Sequence, residues 1–153
     1  MTEAGERRPP ASVMVDVGII GGLDIPAGEA WALHPDTTTA AQTAAAAIDD
    51  KKGLGVALLD VSRLLVITDV FVIATGTSRR HVLTLADAVE ERLRLLGRRP
   101  LRREGLEHAT WVLLDYGDLV VHLFDEPTRR YYDLERLWID APRTEYDPAA
   151  AGA

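Results

Sequence analysis

Cysteine is absent from this 153-residue chain. That excludes a disulfide framework, thiolate metal sites and a cysteine nucleophile together. Aromatic residues are sparse at 6%. No apolar run approaches the roughly 18 residues of a membrane span. The segment from Val13 to Ile20 comes nearest, and Asp16 interrupts it. Arg7 and Arg8 precede that segment as a signal n-region would, but the run is too short and no cleavage pattern follows. The expectation is a cytoplasmic protein without a membrane partner. Basic residues are also in the minority, with 17 Lys and Arg against 24 Asp and Glu and a net charge of -7. Coating nucleic acid relies on clustered cations, so DNA is not an expected partner and a basic protein is.

What is present is ordinary for one globular domain: 47% hydrophobic and 27% charged residues. Pro9, Pro10, Gly18, Gly21, Gly22, Pro26, Gly28 and Pro35 break up the start of the chain, so residues 1–36 are expected to be a flexible extension. Gly18, Gly21 and Gly22 lack the spacing and the following helix of a dinucleotide fingerprint.

Order begins near Thr37. Thr37 to Thr39 are N-cap candidates for an alanine-rich helix reaching about Lys52, with Gly53 as its stop. Val56 to Val61 and Val70 to Thr75 read as buried strands. From Gly76-Thr77-Ser78, apolar residues Val82, Leu85, Ala86, Val89, Leu93 and Leu96 recur at helical spacing until Gly97 and Pro100. Leu101 to Arg103 suggests a polar edge strand. Trp111 to Asp115 and Asp118 to Phe124 form a hairpin about Tyr116-Gly117. A last helix opens at Asp125-Glu126-Pro127, with Tyr131, Leu134, Leu137 and Trp138 on its packed face. The order α-β-β-α-β-β-β-α predicts a single α/β domain, residues 37–142, with a mixed sheet of about five strands and helices packed on it. Residues 143–153 are expected to be a flexible tail.

Several residues invite a chemical reading. Gly76, Thr77 and Ser78 lie between strand and helix, where backbone N–H groups could hold a phosphate, but the P-loop lysine is missing and a helix cap is the simpler account. Asp60, Asp69, Asp115 and Asp118 sit at strand ends or turns, and no Asp-x-Asp pair exists to hold a metal. His81, His108 and His122 share no metal-ligand spacing, so no metal and no cofactor are expected. Ser78, His122 and Asp115 could be drawn as a triad, but the Gly-x-Ser-x-Gly elbow is absent. His81 is better read as support for the helix start, and His122 as a strand residue with a hydrogen-bonded partner. Arginines come in pairs, at 79–80, 98–99, 102–103 and 129–130. Such pairs normally form a solvated face and at most touch RNA at a rim.

A set of segments in this order resembles the ribosomal silencing factor family, also called Iojap-like proteins. They are Ile67-Thr68-Asp69, Phe71 to Ser78, Arg80-His81-Val82, Ala86-Asp87, Glu104-Gly105, Trp111 to Asp118, Val121-His122, Tyr132 to Glu135 and Leu137-Trp138. The likeness covers about Thr38 to Pro142. Arg79 stands where the family more often has Ser, and the N-terminal extension lies outside the pattern. The resemblance implies a non-enzymatic role: docking on ribosomal protein L-fourteen of the large subunit, blocking subunit joining and lowering translation when nutrients are scarce. It also implies a nucleotidyltransferase-like topology without the metal-binding aspartate pair of those enzymes. Within that reading Trp111 is the expected anchor, with Leu113 and Leu114 beside it and Asp115, Tyr116 and Asp118 as the polar rim. Two rival expectations stand: a phosphoryl-transfer enzyme using Gly76-Thr77-Ser78 with Asp60 or Asp115, and a dimeric adaptor without ribosome contact. A homodimer through an exposed sheet edge near Leu101 suits either binding reading.

Overall fold

A computed structural model describes residues 35–65 and 67–146. Helix α1, Pro35–Asp50, begins two residues before Thr37. Its Ala40, Ala41, Ala44, Ala45, Ala47 and Ile48 are all buried, and side chains this small let the helix lie close to its neighbours. The helix ends through a left-handed Lys52 (φ 65°), after which the Gly53 N–H donates back to the Ile48 carbonyl at 2.9 Å.

Strands β1, Leu54–Asp60, and β2, Val70–Gly76, follow as an antiparallel pair with an irregularity between Leu54 and Ala57. Helix α2, Arg79–Leu95, buries Val82, Leu85, Ala86, Val89 and Leu93 as one stripe. Leu96, expected in that stripe, is exposed, because the helix has already closed. Gly97 (φ 77°) donates to the Arg94 carbonyl and Arg98 N–H to the Leu93 carbonyl, both at 2.9 Å. That pair of bonds is a Schellman stop, which needs a left-handed residue at the glycine position.

The rest of the domain comprises β3, Arg102–Glu104; β4, Trp111–Asp115; β5, Leu119–Asp125; α3, Glu126–Tyr132; α4, Leu134–Leu137; and β6, Arg143–Glu145. All six strands form one sheet in the order β3-β4-β5-β2-β1-β6. Strands β2 and β5 are parallel, from Val70 opposite Leu119 to Gly76 opposite Asp125, and every other pairing is antiparallel.

Two expectations are corrected here. The sheet has six strands rather than about five. The sixth lies where a tail is expected: Arg143 to Glu145 pair with Leu59 to Ala57, and Tyr146 N–H donates to the Val56 carbonyl at 3.0 Å. A strand reading Arg-Thr-Glu carries no apolar alternation, so only its pairing reveals it. The C-terminal helix is also two short ones. Asp133 adopts a left-handed conformation (φ 46°, ψ 55°) between them and resets the register. Leu134 and Trp138 are buried as expected, whereas Tyr131 and Leu137 are exposed. The remainder of the expected N-terminal extension and C-terminal tail, residues 1–34 and 147–153, lies outside the described residues.

Helices α1 and α2 cover one side of the sheet. On the other side Leu59, Phe71, Ile73, Trp111, Leu113, Val120 and Phe124 pack under Leu134, Trp138 and Ala141. None of the helices in the described residues is long and apolar enough to cross a membrane.

Candidate functional site

Strand β4 alternates, so the residues expected to form one docking surface are divided between the two sides of the sheet. Trp111 and Leu113 belong to the core beneath α4, and Leu114 and Tyr116 to the core beneath α1 and α2. Trp111 is only 4% exposed and Leu113 and Leu114 are fully buried, which corrects the picture of an exposed Trp111 anchor. The indole packs on Phe124 and Tyr132 at centroid distances of 4.7 and 4.9 Å. The aromatic lid from α3 places it in the core.

The Trp111 Nε1–H donates to His122 Nδ1 at 3.2 Å. His122 is entirely buried on β5 and meets the Phe71 ring edge-on at 4.7 Å. Burial pushes its imidazole down to about 3, so the ring is neutral. Since Nδ1 accepts, the ring proton sits on Nε2. Tyr116 is also buried, and burial foremost pushes its phenol up to about 12.

The acidic residues of the expected rim have partners within the chain. Asp115 accepts from Arg102 Nη2 at 2.7 Å and from the Gly117 N–H at 2.8 Å. Asp118 is bridged by Arg98 and accepts from Thr37 Oγ1 at 2.5 Å. Burial alone would raise the Asp118 carboxyl, but the hydrogen bonds from Arg98 and Thr37 outweigh it and hold it below its ordinary value. The network joins the start of α1, the β4–β5 turn and Arg98, three residues past the end of α2. It lines an open pocket of about 550 Å³ with Asp36, Thr39, Asp69 and Leu96.

Gly76, Thr77 and Ser78 sit at the other end of β2. A Cβ on Gly76 would lie 2.9 Å from the Val82 nitrogen, so the tight passage from strand to helix needs glycine. Ser78 caps α2 by accepting the His81 N–H at 3.0 Å. His81 Nδ1 accepts the Thr77 N–H, and its Nε2 then donates to the Lys51 carbonyl, both at 2.8 Å. His81 thereby ties the end of α1 to the start of α2.

Ser78, His122 and Asp115 are not brought together. Asp115 stands opposite Val120 and Ser78 lies beyond Gly76, which pairs with Asp125. Five residues of strand separate those levels, about 17 Å. Asp60 accepts from the Ser62 N–H at 3.0 Å. Among the described residues no three His, Asp or Glu side chains gather as metal ligands do.

Sequence reasoning missed two features of the C-terminal segment. Glu135 is gripped by Arg129 at 2.9 Å and by Arg143, and Arg129 Nη1 also donates to Thr75 Oγ1 and the Gly55 carbonyl at 2.8 Å. Outside this clasp, Tyr131, Leu137 and Ile139 are 62%, 52% and 76% exposed. The run of large apolar residues from 131 to 139 is visible in the sequence, but which of them face inward depends on the break at Asp133.

A family model described as "Ribosomal silencing factor during starvation" matches residues 34–152. A ribosomal silencing factor RsfS from Halalkalibacterium halodurans is 42% identical over 106 residues, covering 69% of this chain and 91% of that protein. A mouse protein named mitochondrial assembly of ribosomal large subunit protein 1 is 36% identical over 74 residues, 46% of this chain and 32% of its own length. Among solved structures, a crystal structure of a Chromobacterium violaceum protein superposes with a TM-score of 0.65 at 38% identity, covering 67% of this chain and 85% of that one.

Proposed function

Because the chain belongs to the ribosomal silencing factor family, we propose that it binds the large ribosomal subunit through ribosomal protein L-fourteen. Bound there, it blocks joining of the small subunit and lowers translation under nutrient limitation, acting in the cytoplasm and without catalysis. The observation that carries this reading is the family match, which spans the whole described domain and not one motif. Charge supports it, since a chain of net charge -7 suits a basic ribosomal protein. The nucleotidyltransferase-like topology belongs to the same reading as a matter of fold, and fold alone carries no activity.

The docking face in this proposal is the side of the sheet that holds Trp111 and Leu113. Contact is made by what covers them: Tyr131, Leu137 and Ile139 are exposed on that segment, and Tyr132 rests on the Trp111 ring. Trp111 therefore supports the surface from below. The homodimer in solution is part of the proposal too, with Leu101 (73% exposed) beside edge strand β3 as its contact.

Co-sedimentation with separated ribosomal subunits at physiological salt tests the main reading. Binding to the large subunit alone, with reduced joining of the small subunit, is the expected result. Replacing Tyr131 and Ile139 by Ala should weaken binding by about 2 kcal/mol or more if they are anchors. Binding to neither subunit would overturn the reading.

A further inference from the structure

Charge is distributed unevenly along the strand direction. Where β2 and β5 begin, the pocket wall carries Asp36, Asp69 and Asp118. Where they end, at Gly76 and Asp125, cations gather. Lys51 and Lys52 follow α1, and Arg79 and Arg80 open α2, all four exposed. The His81 bond to the Lys51 carbonyl holds these two pairs side by side. Exposed Arg130 and half-buried Arg129 add to them from α3, and both line a pocket with Leu54, Gly55 and Thr75.

The acids at this end are mostly engaged. Asp50 pairs with Arg92 at 3.1 Å and Glu126 with Arg130 at 2.6 Å. Asp125 caps α3 through the Thr128 N–H, and Glu135 holds Arg129 and Arg143. Asp49 is a further acid there, exposed on the last turn of α1. No acidic residue occupies the first turn of α2. The positive end of that helix therefore adds to Arg79 and Arg80 instead of being offset.

We propose that the junction formed by Lys51, Lys52, Arg79 and Arg80 contacts backbone phosphates of large-subunit RNA. This rests on the docking reading above and adds a second partner to it. The cations stand on exposed helix ends rather than around an enclosed pocket, which suits a polyanionic backbone better than a single bound nucleotide. Contacts of this kind orient a protein and raise its association rate without reading bases. They also explain how an acidic protein could approach a ribosome: its repulsion from RNA is relieved at one end only.

The test is affinity for purified large subunits between 50 and 200 mM salt (order-of-magnitude limits for seeing counterion release). Wild type is compared with a Lys51→Gln, Lys52→Gln, Arg80→Gln variant. The expected result is weaker binding at low salt and a flatter salt dependence, by about 0.7–0.9 in the log–log slope for each phosphate that the variant no longer neutralises. Binding of the same variant to isolated ribosomal protein L-fourteen should be unchanged, as should its thermal midpoint. Arg80→Lys, which keeps the charge, should bind as wild type does. Wild-type binding to subunits with an equal affinity and slope for the triple variant would overturn this inference alone. Absence of wild-type binding would overturn the docking reading and this inference with it.

Discussion

On one side of the sheet, α1 and α2 set Ala44, Ala45, Ile48, Leu85 and Val89 against Val72, Val112, Leu114 and Val121. On the other, a stretch with only seven- and four-residue helices lays Leu134, Trp138 and Ala141 over Phe71, Trp111, His122 and Phe124. The first side is mostly aliphatic and held by two long helices, of which α2 is capped at both ends. The second is aromatic, and its cover is clasped by ion pairs from Glu135 to Arg129 and Arg143 and by a three-residue edge strand. Local stability follows the extent of apolar burial and the number of protected hydrogen bonds, so the two covers should open at different free energies. The cover with less to lose is the one that presents exposed Tyr131, Leu137 and Ile139.

Replacing Leu85 by Ala tests the strong side and should have the largest effect on global stability, because no local opening absorbs part of the loss. Leu85 is fully buried between helix and sheet, and its loss should cost about 2–5 kcal/mol of global stability in urea unfolding. A cost near zero would show that α2 is not the keystone. Trp138→Ala tests the weak side. Truncating a buried Trp costs about 3–5 kcal/mol when the whole fold feels it. Here part of the loss should appear as local opening: amide exchange should accelerate in α4 and β6 while β2 and β5 keep their protection. A uniform change across all strands would erase the distinction between the sides.

The effect that is smallest near neutral pH, and grows only on acidification, is a pH dependence specific to the aromatic side. His122 has a folded-state value of about 3 against an ordinary 6.5. Below pH 6.5 the unfolded chain takes up a proton that the folded chain refuses, so stability falls as pH drops toward 3. The slope is up to about 1.4 kcal/mol per pH unit. A His122→Phe variant should show a shallower loss over that window. Equal slopes for both proteins would mean that the buried imidazole is not the titrating group.

Where the fold was legible, a local rule and the tertiary context agreed. The stripe Val82, Leu85, Ala86, Val89 and Leu93 has one helical solution, and Ser78 and Gly97 cap it by known chemistry. The β4–β5 hairpin and the continuously apolar β2 were equally plain. The docking surface was less legible. An aromatic residue reads the same whether it lies in a core or at an interface, and only the position of α3 above β4 places Trp111 inside. Asp115 and Asp118 read as solvated turn residues until Arg102 and Arg98 are seen to meet them.

The sequence by itself therefore determined the α/β class, the two long helices, the central strands and the family likeness, because each rests on periodicity, caps or residue order within one segment. Only the tertiary structure decided the sixth strand, the break at Asp133, the division of β4 between two cores and the gathering of Lys51, Lys52, Arg79 and Arg80 at one end. The sixth strand and the basic cluster depend on contacts between residues distant in the chain, whose pairing energies leave no mark on local pattern.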